Sequence, residues 1–392
     1  MLSGRREILF RSLLGESCAL DRCYSDAVAE LERRVEESPP GIWWEELGHF
    51  LGEHARRGHM VAGFLGYEML HAVEEVPRLA RSDDPLDQLP DLHLVAFQQV
   101  QLGQPPSEVG PTPAVRRAQL PHDLEPDLSR ATYVERVAAM REAILRGDIF
   151  EACFTQGLTV PCDRAPDQLY EGLLRLSPAR CTTLFSTPEY AVISNSPETL
   201  LRASSRHLES RPIKGTRPRG ATVEEDRAEA RALLRSDKDR AELAMIVDLT
   251  RNDLGRVAVP GSVRVEHGAR LSTLANVHHL EGVVTAERLP GQRLTDCIRA
   301  VFPGGSVTGA PKVRAMQLIA SLEARRRGPY CGALLVCEPD GRCHLSVGIR
   351  TGVIAGGRLR FGSGGAVTAD SDPEEEYEEH LDKAAVFLEL VR

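Results

Sequence analysis

The sequence predicts an α+β fold, and three observations carry that reading. Long stretches, such as residues 133–146 and 223–253, space their apolar residues at helical intervals. Short runs of β-forming residues come in pairs joined by turn sequences: 181–185 and 190–194 flank Thr187-Pro188-Glu189. Helices and strands also fail to alternate regularly, which argues for antiparallel strand pairs rather than a parallel βαβ chain. With 392 residues, 42% hydrophobic and 27% charged, the chain has ample apolar material for a large core.

In chain order, residues 26–35 and 43–56 read as helices, followed by an apolar run at 60–67. Gly103 to Ala114 is rich in Gly and Pro and reads as a surface linker. Residues 133–146 form a helix that stops at Gly147, a residue suited to a left-handed cap. A strand at 149–160 and the hairpin at 181–194 follow. The helix over 223–253 breaks near Ser236-Asp237, and a short helix at 295–301 ends in Pro303-Gly304-Gly305. Pro311 opens a helix over 312–322. Strands at 332–337, 344–354 and 359–361 are punctuated by Asp340-Gly341 and Gly356-Gly357, and 374–391 is a terminal helix.

Composition excludes several classes of function. The net charge of −9 argues against nucleic acid as the main partner, while leaving room for a small anion bound by a local patch. No signal peptide or membrane-length apolar run is present, so a cytoplasmic protein is expected. Nine cysteines, an odd number with no CxxC, read as reduced thiols in the core.

The residues that carry chemistry are few. Lys214 lies in Pro212-Ile213-Lys214-Gly215-Thr216, and Glu198 lies in Ser196-Pro197-Glu198. A partly desolvated lysine is expected to have a lowered pKa and to serve as a nucleophile, with the carboxyl as proton donor; the plain alternative is a surface lysine. Asp239 and Glu242 share a helix face, and so do Glu376 and Glu379 on the terminal helix. Such pairs supply the hard oxygens that Mg²⁺ prefers, although acidic faces are also ordinary solvated surface. Phe302 to Lys312 is a glycine loop entering a helix, suited to an anion, but Ala310-Pro311 breaks the nucleotide-binding pattern. Gly362-Ser363-Gly364-Gly365 offers further N–H groups or a plain turn. His279 reads as a core or catalytic histidine, and Arg350, placed on the strand 344–354, as a carboxylate ligand or a structural ion pair. No Gly-x-Cys-x-Gly or Gly-x-Ser-x-Gly elbow occurs.

In their order and spacing these motifs resemble the chorismate-utilising enzymes. SPE, PIKGTRPRG, DRAELAMIVDLTRNDLGRV, VHHL, FPGGSVTGAPKVRAM, SVGIRT and EEEYEE carry the resemblance nearly continuously from Tyr133 to Arg392. It is weaker before that, at Gly63-Phe64-Leu65-Gly66-Tyr67-Glu68 and at Leu13-Leu14-Gly15-Glu16-Ser17. The resemblance implies one domain over 1–392, an α/β sandwich of two packed antiparallel sheets surrounded by helices, like anthranilate synthase component I. Its catalytic core is expected at 130–392, behind a shortened amino-terminal part at 1–114.

The resemblance also implies a reaction and its residues. Lys214 matches a lysine that attacks ring C2 of chorismate, Glu198 the acid that assists loss of the C4 hydroxyl, and His279 a histidine beside the ring. Thr216, Ser306, Arg350, Gly364 and Gly365 match substrate-binding groups. Glu242 and Glu379 match Mg²⁺ ligands, with Glu376 and Asp239 acting through water. Lys214 points to the branch that aminates chorismate at C4. Ammonia would come from a separate class I glutamine amidotransferase subunit, since the chain lacks a cysteine elbow. The same resemblance leaves two alternatives: another chorismate-transforming activity such as C2 amination, or a silent regulatory paralogue. Glu151 stands where isochorismate- and salicylate-forming relatives usually place a general-base lysine, which favours C4 amination over hydration, while Val336 in place of a tyrosine and His344-Leu345 in place of Asp-Thr depart from the family pattern.

Overall fold

A computed structural model describes residues 7–12, 20–37, 39–102 and 120–392. The linker at 103–114 and the Leu13 to Ser17 segment lie outside the described residues. The strands are β1 (Glu7–Ser12), β2 (Leu20–Arg33), β3 (Met60–Leu65), β4 (Leu92–Leu102), β5 (Glu125–Pro126), β6 (Glu151–Pro161), β7 (Cys181–Ser186), β8 (Ala191–Ser196) and β9 (Thr199–Ala203). They continue as β10 (His207–Arg211), β11 (Ile213–Pro218), β12 (Arg264–Thr273), β13 (Val277–Glu287), β14 (Gly309–Ala310), β15 (Ala333–Cys337), β16 (Cys343–Val347), β17 (Thr351–Ala355) and β18 (Arg358–Val367). The helices are α1 (Pro40–Arg56), α2 (Arg130–Leu145), α3 (Pro166–Leu176), α4 (Val223–Arg235), α5 (Asp237–Gly255), α6 (Leu294–Val301), α7 (Lys312–Leu322) and α8 (Pro373–Leu390).

Every strand pairing among the described residues is antiparallel. One sheet runs β4-β3-β15-β16-β9-β10-β13, with β11 and β12 both on β13. The other runs β2-β1-β7-β8-β17-β18-β6, with β5 and β14 on β6. The β2–β4 pairing joins them, so one ladder folds over itself into two layers. An apolar cluster between the layers contains Phe64, Phe97, Phe185, Val192, Leu334, Val336 and Val353. Larger clusters cover the outer faces: Trp43, Leu243 and Phe302 under α1, α5 and α6, and Leu169, Phe361 and Phe387 under α3 and α8. This is the expected sandwich wrapped by helices.

Most expected elements hold their places. Ser236 ends α4 and caps α5, its hydroxyl accepting from the Asp239 N–H, which is why the long helical stretch breaks there. Three expectations change. Residues 26–33 are the end of strand β2 and 34–35 lead into a turn, not a helix; their Ala, Glu and Leu favour helix locally, but ten residues of the strand pair with β4 and the ladder overrides that preference. The strand expected over 344–354 is two strands, β16 and β17, interrupted at Gly348-Ile349-Arg350, with Arg350 at φ +50°. Gly362 to Gly365 is neither turn nor loop but the middle of β18, paired residue by residue with β6. The cysteine reading is corrected at one pair: Cys337 and Cys343 face each other across the β15–β16 hairpin as a disulfide, because that register sets their Cα atoms 4.1 Å apart. Cys153, Cys162, Cys181, Cys297 and Cys331 are buried free thiols.

Candidate active site

Lys214 is carried by β11 at a bulge. Gly215, at φ +68°, is the extra residue, so Lys214 opposes Leu280 and Thr216 opposes His279 on β13. Only glycine suits this point: a Cβ there would stand 2.9 Å from the Asp239 carboxyl and from Leu233. The bulge turns Lys214 out of its own sheet toward the other one. Its Nζ donates to Oε1 of Glu151, the first residue of β6, and its side chain is only 9% exposed.

This contact reverses the expected pKa shift. Burial does pull the Lys214 ammonium down, but the Glu151 charge and hydrogen bond, with the charge of Glu242, outweigh it. The net shift is upward, so the lysine is stored as an ammonium ion rather than as a free amine.

Glu198 follows β8. Its Oε1 accepts from the Ser306 hydroxyl at 2.7 Å, its backbone N–H donates to Ser196 Oγ, and its carbonyl accepts from the Val347 N–H. Burial raises its pKa to about 7, against smaller opposing effects from Ser306, Lys214 and the Ile213 N–H. Near neutral pH this carboxyl therefore holds its proton about half the time. Ser306, expected as a substrate contact, is here the support of Glu198. It reaches that place on the Gly304–Gly305 loop, whose continuation, β14, pairs onto β6 at Ala152 and Glu151.

His279 is buried. Its Nδ1 lies 3.0 Å from Thr216 Oγ1 and 3.3 Å from the Gly215 carbonyl, while Nε2 is buried with no partner. Burial, and then the nearby Arg350 charge, pull its pKa to about 3, so it is a neutral imidazole. Arg350 is half-buried, and no carboxylate of the described residues pairs with its guanidinium. Loss of water alone pulls it to about 10. The break between β16 and β17 lets the side chain leave the ladder while its carbonyl stays bound to the Asn195 N–H.

The four acids expected at a metal divide into different states. Glu376 is buried and accepts from Ser371 Oγ at 2.7 Å; burial raises its pKa, as it does that of half-buried Glu242. Glu379 pairs with Lys383 at 2.7 Å, which lowers its pKa, and Asp239 pairs with Arg217 at 3.0 Å. Among the described residues, ligand atoms of three or more such groups lie within 4.8 Å only at Glu30, Glu32 and His93, so these four acids are not gathered that tightly.

The two glycines of β18 do different things. The Gly364 carbonyl accepts from Lys383 at 3.1 Å, so the N–H of the same residue also faces away from β6. At Gly365 a Cβ would stand 2.8 Å from Glu376 Oε2, so the missing side chain makes room for that carboxylate.

Two residues escaped the sequence, and so did the role of a third, Glu151, as the partner of Lys214. Ser371 and Lys383, which hold Glu376 and Glu379, carry no local signal. Glu151 did carry one: it is a lone acid between Ile149-Phe150 and Ala152-Cys153-Phe154, a sign of a buried carboxylate. The two departures from the family pattern have other neighbours. Val336 packs in the apolar cluster between the layers. The His344 ring approaches Cys181 Sγ at 3.9 Å, and burial pulls its pKa to about 3.

A family profile described as chorismate binding enzyme matches residues 16–389. Aminodeoxychorismate synthase from Streptomyces griseus is 47% identical over 264 residues, covering 67% of this chain and 36% of that protein. Anthranilate synthase component 1 from Thermus thermophilus is 36% identical over 360 residues, covering 84% of this chain and 77% of that one. The crystal structure of anthranilate synthase component I from Streptococcus pneumoniae superposes with a TM-score of 0.78 at 24% identity, covering 96% of this chain and 93% of the other. The matched stretch is thus about a third of the Streptomyces protein's length.

Proposed function

The chain belongs to the family of chorismate binding enzymes, and from that premise we propose that it aminates chorismate at C4 to give 4-amino-4-deoxychorismate. The observation that carries this reading is a buried lysine, Lys214, whose charge acts on a carboxyl poised near pH 7, that of Glu198. Hydroxide is a poor leaving group. A carboxyl that keeps its proton near neutrality protonates the C4 oxygen as it departs. The Lys214 amine attacks C2, which divides one hard substitution into two easier ones, and ammonia then attacks C4 and expels the lysine. Arg350, with no counter-ion among the described residues, suits a substrate carboxylate, and neutral His279, close enough to feel its charge, keeps an Nε2 with no partner.

The residues fit Mg²⁺ in their chemistry. Glu242 and Glu376 offer hard oxygens, both are held above the usual carboxylate range by burial, and Gly365 leaves space beside Glu376 Oε2. Glu242, Glu376 and Glu379 would hold the ion, with Glu379 exchanging Lys383 for it. When bound, the ion supplies positive charge against the substrate's carboxylates. Ammonia is proposed to come from a class I glutamine amidotransferase, because the sequence has no cysteine elbow of its own.

A second reading, anthranilate formation, is favoured by the Thermus thermophilus relative, whose match covers more of this chain. One assay separates the two. The purified chain with chorismate, Mg²⁺ and ammonium chloride is analysed by mass spectrometry: 4-amino-4-deoxychorismate supports the proposal, and anthranilate overturns it. No turnover overturns both in favour of a silent paralogue.

A further inference from the structure

We propose that Glu151 is the proton partner of Lys214, the base that takes a proton from its ammonium before attack and returns it when the lysine is released. The inference rests on the C4-amination reading, but its geometry stands apart from it. Glu151 is 1% exposed and Lys214 Nζ donates to its Oε1. Its other oxygen, Oε2, is buried with no partner, so no further donor fixes the charge on this carboxylate. A buried carboxylate held by a single cation is well placed to trade its charge for a proton, because transfer removes both charges from a poorly solvated site. An ammonium has no lone pair, so the stored form of Lys214 cannot attack until such a transfer occurs.

The surroundings leave Glu151 as the acceptor. Cys153 of β6, Glu242 and Asp239 of α5, Glu379 and Lys383 of α8, and Glu198 are the other titratable groups nearby. Burial raises the Cys153 thiol above its usual range, so it stays protonated and cannot serve as the base. Glu198 is committed to Ser306, Asp239 to Arg217, and Glu379 to Lys383. Glu242 acts on Lys214 through its charge, and among the described residues only Glu151 hydrogen-bonds the ammonium. The backbone at Glu151 is also fixed: β14 pairs onto it, and Gly309 approaches so closely that a Cβ would stand 2.1 Å from the Glu151 carbonyl.

The step balances. One N–H bond of the ammonium breaks, its proton forms an O–H bond on Glu151, and the freed pair on Nζ forms the bond to C2. The ring π electrons shift, the C4–O bond breaks, and the oxygen takes the proton of Glu198 and leaves as water. Ammonia then bonds to C4, the C2–N bond breaks with its electrons returning to Nζ, and the new C4 ammonium gives a proton to Glu198. Lys214 recovers its own proton from Glu151.

Glu151→Gln keeps the shape of the side chain but cannot take the proton. Lys214 must then lose its proton to solvent. The expected result is a kcat for 4-amino-4-deoxychorismate lower by ~10-fold or more at pH 7, a KM for chorismate within a few-fold, and a rising limb in the pH–kcat profile that the wild type lacks. Glu151→Asp retains the carboxylate and restores a profile without that limb. A wild-type kcat and profile in Glu151→Gln, or the same fractional loss at every pH, overturns the proposal. A second measurement does not need turnover. Labelling of Lys214 by trinitrobenzenesulfonate, read by peptide mass across pH, reaches its midpoint at lower pH in Glu151→Gln than in the wild type. An unmoved midpoint overturns the pairing. If the wild type makes no C4-amino product, the functional reading fails while the labelling arm still decides the pairing.

Discussion

The two halves of the site are built on opposite terms. Around Lys214 and Glu198 every charge is answered internally: Glu151 meets the ammonium, and Ser306 meets the carboxyl. Around Arg350 and His279 the polar groups are left open: among the described residues the half-buried guanidinium has no counter-ion and the buried ring nitrogen has no partner. Groups that must exchange protons with each other are stored as pairs. Groups that must bind an anion are stored unsatisfied, at a cost to stability that a ligand repays on binding. Breaking the first half should therefore change rate, and breaking the second should change affinity.

The largest effect is expected from Lys214→Ala. Removing the nucleophile should lower C4 amination by on the order of 10⁴-fold or more, as with other nucleophile deletions. The KM for chorismate should move little, because Arg350 and the acidic groups remain. Initial rates with ammonium chloride, product by mass, check this; full C4-aminating activity in the variant excludes the covalent route.

Glu198→Gln comes next, with a loss of ~10²- to 10⁴-fold in kcat. Its wild-type pH profile carries a sign. The carboxyl works only while protonated and its pKa stands at about 7, so kcat/KM in the wild type should fall as pH rises through that value. Stability follows the same direction. A folded-state pKa raised from 4.5 means the native state holds this proton more tightly, so the stabilisation is complete below about 4.5 and is lost as pH rises toward 7. Denaturant midpoints measured between pH 4.5 and 7.5 should fall less in Glu198→Gln than in the wild type.

How much of this was readable in advance differs between the same two halves. The motif order named Lys214, Glu198, His279 and Arg350 as one group, and for two of them the local sequence dictates the backbone: a glycine bulge after Lys214 and a Ser-Pro turn before Glu198. The fold was legible for the same reason wherever helices carried their own caps, as at Ser236. Strand β2 was not, since its residues prefer helix and only pairing with β4 makes them a strand. Nor was the state of Lys214. Its expected downward shift became an upward one because Glu151, 63 residues away, completes the site from the other sheet. Sequence spacing states which groups are present; only the ladder states which meet.

Arg350→Met probes the unsatisfied half. Losing a charged hydrogen bond to a substrate carboxylate should raise the KM for chorismate roughly 10- to 100-fold, with kcat reduced much less. The free protein should gain stability, since an uncompensated and partly desolvated charge is removed; thermal melting should rise by roughly 1–2 °C. A variant that melts lower and keeps its KM would show that Arg350 serves structure and not recognition.

The smallest expected effect sharpens the comparison most finely. Thr216 is exposed at the bulge, and its hydroxyl, 3.0 Å from His279 Nδ1, helps hold the ring with Nδ1 toward the Gly215 carbonyl. In Thr216→Val the Gly215 carbonyl, 3.3 Å away, remains as an acceptor for an Nδ1 hydrogen, so the tautomer with an open Nε2 is retained but less firmly held. The net loss should be near that of one neutral hydrogen bond, about 1 kcal/mol, or a few-fold in kcat/KM for chorismate. His279 belongs to the recognition half, so that few-fold change should lie in KM; a change confined to kcat would move His279 to the side of Lys214 and Glu198.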